Sequence, residues 1–126
     1  MKKKILIADD RAPSRELLRI VLESEGYDVV EACDGAEAVV KTRQQPPDLI
    51  LLDLQMPVIN GFEVVRILRS ELQLARIPVV ALTASAMHGD REKALEAGFT
   101  GYIAKPVRVA VLRTEVARLL QPAPAQ

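Results

Sequence analysis

Short, unbroken apolar runs alternate along this chain with longer stretches of helical period, and that alternation constrains the fold more than any other feature. Ile5-Leu6-Ile7-Ala8, Leu49-Ile50-Leu51-Leu52 and Val79-Val80-Ala81-Leu82 are each four apolar residues in a row. A strand covered by helices on both faces reads this way, whereas a strand with one wet face alternates apolar and polar residues. Residues 27–32 and 101–104 are weaker runs that carry the β-branched Val29, Val30 and Ile103. Between the runs lie helix signals. Pro13 suits a first helical position, Leu17, Leu18, Val21 and Leu22 recur at helical spacing, and Gly26 stands where a helix stops. Asp34 and Glu37 have capping-box spacing and open a helix over 35–45 that Pro46-Pro47 ends. Asn60 and Glu63 repeat the box before a helix over 62–72. A fourth helix is predicted from about 87 to 97 with Gly98 as its stop, and a fifth after Pro106 with Leu112, Val116 and Leu119 or Leu120 as its buried stripe. Five strands alternating with five helices predict a doubly wound α/β fold: a parallel sheet between two helical layers.

Composition narrows the function. With 126 residues the chain has the length of one domain, and 49% hydrophobic content is too high for intrinsic disorder. Residues 1–120 are expected to form that domain, with 121–126 a Pro/Ala-rich tail too short for an effector, so that output passes through the domain's own surface. Lys+Arg and Asp+Glu are both 17, which gives no sign of a nucleic-acid binder. The single cysteine, Cys33, excludes a disulfide framework and is expected to pack as a small hydrophobe. No apolar run approaches the ~18 residues of a membrane span. The apolar stretch after Lys2-Lys3-Lys4 ends at Asp9-Asp10, too soon for a signal sequence. A cytoplasmic location is the expectation.

The chemistry collects in one place. In open α/β sheets, ligands bind beyond the carboxyl ends of the strands, where the strand order switches. The first apolar run leads into Asp9-Asp10, the third ends at Asp53, the fourth at Thr83, and Lys105 follows the fifth. Each has a plain structural reading alone: a helix cap for Asp9 or Asp10, a turn former for Asp53, an ordinary strand residue for Thr83, a solvated lysine for Lys105. All would have to hold together to explain the set. Three convergent carboxylates repel one another, and an all-oxygen donor set that needs a cation suits Mg²⁺. A lysine and a hydroxyl on the same rim complete a clamp for a phosphoryl group. One carboxylate is then placed to act as nucleophile, and Asp53, leaving a central strand, is the best candidate.

These residues resemble the receiver domain of two-component response regulators, of the stand-alone, chemotaxis-regulator-like type. The motifs fall in order with family-like spacing: Asp9 to Asp53 is 44 positions, Asp53 to Thr83 is 30, and Thr83 to Lys105 is 22. Met56-Pro57 with Asn60-Gly61, Thr83-Ala84, and Lys105-Pro106 agree as well. The resemblance runs from about Lys3 to Leu120. It implies a flavodoxin-like sheet of strand order 2-1-3-4-5 and a cis bond between Lys105 and Pro106. It implies that Asp53 accepts a phosphoryl group from a histidine kinase or a histidine phosphotransfer protein. Asp10, Asp53 and the backbone carbonyl of Gln55 would hold Mg²⁺, with Asp9 acting through a metal-bound water. Lys105 and Thr83 would each contact a phosphoryl oxygen, and Tyr102 would be the aromatic switch. The chain would then be a regulatory phosphoacceptor rather than an enzyme acting on other substrates. A downstream target protein would read the surface of the fourth helix, fifth strand and fifth helix, and a phosphorylation-linked homodimer is a further partner the resemblance allows. Arg91, Leu95 and Val111 are expected to be exposed there.

Gln55 and Ser85 hold the positions that in the family tune hydrolysis of the aspartyl phosphate. His88 is expected in an exposed loop or first helical turn, with no role in catalysis. Three rival functions fit these residues less well. A pseudo-receiver used only for protein contacts conflicts with five intact site positions. A flavin mononucleotide carrier needs a phosphate-cradling loop after the first strand, where Asp9-Asp10-Arg11 stands instead. A small-molecule aspartyl-phosphate hydrolase resembles an Asp-x-Asp motif, and Asp53-Leu54-Gln55 lacks the second acid.

Overall fold

The computed structural model of the chain describes residues 2–84 and 90–120. Strands β1 (Lys4–Ala8), β2 (Asp28–Ala32), β3 (Leu49–Asp53), β4 (Val79–Thr83) and β5 (Gly101–Ala104) alternate with helices α1 (Ala12–Ser24), α2 (Gly35–Gln44), α3 (Gly61–Arg69), α4 (Asp90–Ala97) and α5 (Val109–Leu120). All four strand pairings are parallel, and the sheet order is β2-β1-β3-β4-β5. The three strands with unbroken apolar runs are the three central ones. The weaker runs are the edges: β2 is only half-buried, and β5 ends on exposed Ala104.

Alternation along each strand divides the core in two. Leu6, Ala8, Ile50, Leu52, Val79 and Ala81 face α2, α3 and α4. Ile5, Ile7, Leu49, Leu51, Val80 and Leu82 face α1 and α5. The fifth helix buries Leu112 and Val116, with Leu119 and Leu120 partly covered, which is the expected stripe. Both expected glycine stops are present: Gly26 and Gly98 have φ of +91° and +114°, the left-handed conformation that ends a helix cheaply only at a residue without Cβ.

Local signals needed adjustment at three helices. Pro13 occupies the second helical position, not the first. At α2 the capping box is half-formed. The Asp34 side chain accepts from the Glu37 amide at 2.8 Å, but the Glu37 carboxylate turns to the amide of Cys33 instead of the amide of Asp34. At α3 the box of Asn60 and Glu63 is complete. This third helix ends at Arg69, three residues before the expected 72, because tight turns follow it (Glu71 N–H to Leu68 C=O, Leu74 N–H to Glu71 C=O) and leave Leu72 95% exposed. Cys33 does not pack as a small hydrophobe. It is exposed, since β2 ends one residue earlier and the chain turns outward there. The expected first turn of the fourth helix, Ser85, His88 and the tail over 121–126 lie outside the described residues. None of the described helices is long and apolar enough to cross a membrane.

Candidate phosphoacceptor site

The site forms where the strand order reverses, between β1 and β3. Ala8 pairs with Leu52 across that junction, so the residues that follow them, Asp9 and Asp53, emerge side by side. Carboxylate oxygens of Asp9, Asp10 and Asp53 lie within 4.8 Å of one another. Asp9 and Asp53 are buried, and Asp10 is exposed, so the cluster opens to solvent on the Asp10 side.

Each backbone segment is fixed by bonds the strands cannot supply alone. The Asp9 amide donates to the Ala32 carbonyl at 3.1 Å, which extends the β1–β2 pairing into the loop. The Leu54 amide donates to the Leu82 carbonyl at 3.0 Å, and the Gly61 amide to the Leu54 carbonyl at 3.1 Å. Gly61 has no room for a side chain: a Cβ would lie 2.8 Å from the Asp53 carbonyl oxygen and 2.9 Å from the Leu54 Cα. The start of α3 is thereby pressed onto the backbone of Asp53. The Lys105 amide donates to the Thr83 carbonyl at 2.7 Å, which holds the residue after β5 beside the end of β4. The peptide bond between Lys105 and Pro106 is cis, as expected.

Lys105 is the hub of the side-chain chemistry. Its Nζ donates to Asp9 Oδ2 at 2.9 Å and to Asp53 Oδ2 at 3.3 Å. The other oxygens of the same carboxylates accept from backbone: Asp9 Oδ1 from the Arg11 amide at 2.9 Å, and Asp53 Oδ1 from the Gln55 amide at 3.1 Å. Burial pushes the Asp53 carboxyl above the ordinary carboxylate range. The Gln55 amide and Lys105 pull it down, and the Asp9 charge adds to the rise. For Lys105, burial would lower the ammonium pKa, but hydrogen bonding and charge from Asp9 and Asp53 outweigh it and raise the group above its usual value. One ammonium thus contacts two of the three carboxylates. An all-oxygen set of this kind, with one exposed member, fits a small divalent cation.

Thr83 ends β4 and is 2% exposed. Tyr102 is half-buried against the core on the α2–α3–α4 side and pairs with Ala81. By strand alternation Thr83 and Tyr102 share that face of the sheet. Leu95 and Val111 are 45% and 46% exposed, and Arg91 is exposed, as the sequence led one to expect. A groove of about 410 Å³ passes Tyr102, Ala104, Pro106, Arg108 and Val111. A second opening, about 400 Å³, adjoins the carboxylates and is lined by Arg11, Ser14, Leu17, Ala84, Lys105 and Pro106.

Sequence reasoning missed Arg15. Its Nη1 donates to the main-chain carbonyl of Asp9 at 2.7 Å, while its Nε donates to Glu31 at 3.2 Å. A long side chain bound to a carbonyl leaves no spacing signal beyond its place one helical turn into α1.

The family model for the response regulator receiver domain matches residues 5–117. The polar-differentiation response regulator DivK of Brucella ovis is 39% identical over 109 residues, which cover 86% of this chain and 89% of that protein, and the Brucella abortus protein of the same name matches equally. Among solved structures, the chemotaxis response regulator CheY4 of Vibrio cholerae superposes with a TM-score of 0.90 at 32% identity, covering 95% of this chain and 100% of that one. The receiver domain of the sensor histidine kinase PA1611 from Pseudomonas aeruginosa, with a magnesium ion coordinated in its active-site cleft, gives a TM-score of 0.88 at 36% identity, covering 95% and 98%.

Proposed function

The chain belongs to the response regulator receiver family of two-component signalling, and from that premise we propose that it is a switch set by phosphorylation of Asp53. The observation that carries this reading is the placement of Asp53: buried, mid-rim, beside two further carboxylates, and in contact with one partly buried ammonium.

In the reaction, an Asp53 carboxylate oxygen forms a bond to phosphorus. The bond from phosphorus to the donor's imidazole nitrogen breaks, and that nitrogen keeps the electron pair and takes up a proton from solvent. Such in-line transfer needs positioning and charge neutralisation more than covalent help. Asp10, Asp53 and the Gln55 carbonyl are the residues that would hold Mg²⁺. Asp9, by the same family resemblance, would contact the ion through a bound water. When bound, the ion supplies positive charge to the transferring oxygens. Lys105 would exchange a carboxylate partner for a phosphoryl oxygen, and the Thr83 hydroxyl would donate to another. The opening lined by Ser14, Leu17 and Pro106 adjoins Asp9 and Lys105, and a histidine kinase or phosphotransfer protein would dock beside it.

Output would follow from the shared face of Thr83 and Tyr102. A phosphoryl group adds close to two negative charges and new acceptor oxygens. Thr83 moving toward it would make room for the Tyr102 ring to turn inward. That repacks the groove beside Val111 and changes what Leu95, Val111 and Arg91 present to a target protein. The test is labelling from acetyl phosphate with Mg²⁺. Wild type is expected to take up one phosphoryl group, and Asp53→Asn and metal-depleted wild type none. Equal labelling of the Asn variant would show that another residue is the acceptor.

A further inference from the structure

The guanidinium of Arg15 is the one side-chain group, among the described residues, that is seen to grip the peptide joining Asp9 to Asp10. It belongs to a network that crosses three elements: Arg15 of α1 bonds to Glu31 of β2, Glu31 also pairs with Arg19 at 3.2 Å, and the Glu31 carbonyl accepts from Lys41 of α2 at 2.6 Å. Arg15 is 17% exposed and makes its two contacts from two different nitrogens, 2.7 Å to the Asp9 carbonyl and 3.2 Å to Glu31. A planar fork held at one prong by a carboxylate presents the other prong in a fixed direction, which a flexible ammonium does not.

We propose that Arg15 is a positioning residue for the cation site, fixing the Asp9–Asp10 peptide so that the exposed Asp10 carboxylate stays aimed at the rim. The inference rests on the reading of Asp9, Asp10 and Asp53 as a Mg²⁺ site. The Asp9 amide is tied to Ala32 and the Asp9 carboxylate to Lys105, both before the Asp9–Asp10 peptide, while the Arg11 amide, after Asp10, donates to Asp9 Oδ1 and closes the turn around it. The carbonyl end, which sets the plane on which Asp10 departs, is tied by Arg15. Groups that orient a ligand without touching the metal matter at roughly 10-fold or more in affinity.

Charge and position pull in opposite directions here, which makes the proposal testable. Arg15 is a cation near an acidic cluster. Removing its charge alone would tighten Mg²⁺ binding, and removing its grip would weaken it. Calorimetric titration with Mg²⁺ of wild type, Arg15→Met and Arg15→Lys separates the two, with metal-free melting recorded on each. Both variants are expected to bind Mg²⁺ about 10-fold more weakly than wild type. Lys, which keeps the charge and loses the fork, should do no better than Met. Arg19→Ala, which removes a Glu31 partner that does not reach Asp9, should bind within about twofold of wild type. Unchanged or tighter binding by Arg15→Met, or wild-type binding by Arg15→Lys, would overturn the proposal while leaving the cation site standing. Absence of Mg²⁺ binding by wild type would overturn the cation site and this role with it.

Discussion

The two ends of the sheet each carry a partly buried cation, and they use it in opposite ways. At the amino ends of the strands, the Arg69 guanidinium donates to the carbonyls of Ala75, Ile77 and Gly98 and approaches the Thr100 hydroxyl. Its partners are all neutral, no carboxylate is among them, and burial lowers its pKa. At the carboxyl ends, Lys105 contacts two carboxylates with a third nearby, and its pKa is raised. Arg69 ties α3 to the loops before β4 and β5 through backbone carbonyls. At one end the cation meets neutral acceptors, and at the other it meets carboxylates, with a third carboxylate close by. Evolution of a ligand site at one end of an α/β sheet is the general rule; here the rule is visible in the bonding of two residues.

The comparison breaks if both cations behave alike on removal. Arg69→Ala is expected to have the largest effect, a loss of roughly 3 kcal/mol in urea unfolding as three backbone carbonyls lose a charged donor. That loss should be the same with and without Mg²⁺. Lys105→Met should cost about 2 kcal/mol in the metal-free protein, because Asp9 and Asp53 are left buried and unpaired. Added Mg²⁺ should recover most of that loss, since ligand that binds only the folded state stabilises it. A Lys105→Met deficit that Mg²⁺ does not touch would erase the distinction between the two ends.

A smaller effect of opposite sign sharpens it further. Asp53 has a folded pKa raised above its unfolded value, so its ionisation opposes folding. The penalty is fully present above the folded pKa and disappears as pH falls through it toward the unfolded value. In metal-free protein, Asp53→Asn should therefore raise the melting temperature at neutral pH, and the gain should shrink on acidification. Lys105 works the other way: its raised pKa stabilises the fold up to its unfolded value, and that contribution is lost as pH rises through the folded one.

Much of this was legible in the sequence, for a physical reason. Continuous apolar runs marked β1, β3 and β4 as strands covered on both faces, whereas the edge places of β2 and β5 came from the strand order that the family resemblance implies. Asp9, Asp10, Asp53, Thr83 and Lys105 were visible because a parallel sheet puts all strand ends on one side, so position in a strand fixes position in space. What escaped was interaction by long side chains with main-chain carbonyls. Arg15 and Arg69 reach partners set by tertiary geometry, and nothing in their local sequence names a carbonyl. The Glu37 carboxylate showed the same limit: the spacing of a capping box was right, but the partner it took was the amide one residue earlier. Cys33 is exposed although its residue type favours burial, because it stands just past an edge strand.

The central claim is that Asp53, and neither of its two carboxylate neighbours, accepts the phosphoryl group. Treating Mg²⁺-loaded protein with acetyl phosphate and then reducing it with borohydride converts an acyl phosphate to an alcohol, which marks the acceptor for peptide mapping by mass spectrometry. The account predicts reduction at Asp53 alone, abolished by removing Mg²⁺. Reduction at Asp9 or Asp10, or no reduction at any of the three while Mg²⁺ is bound, would contradict it.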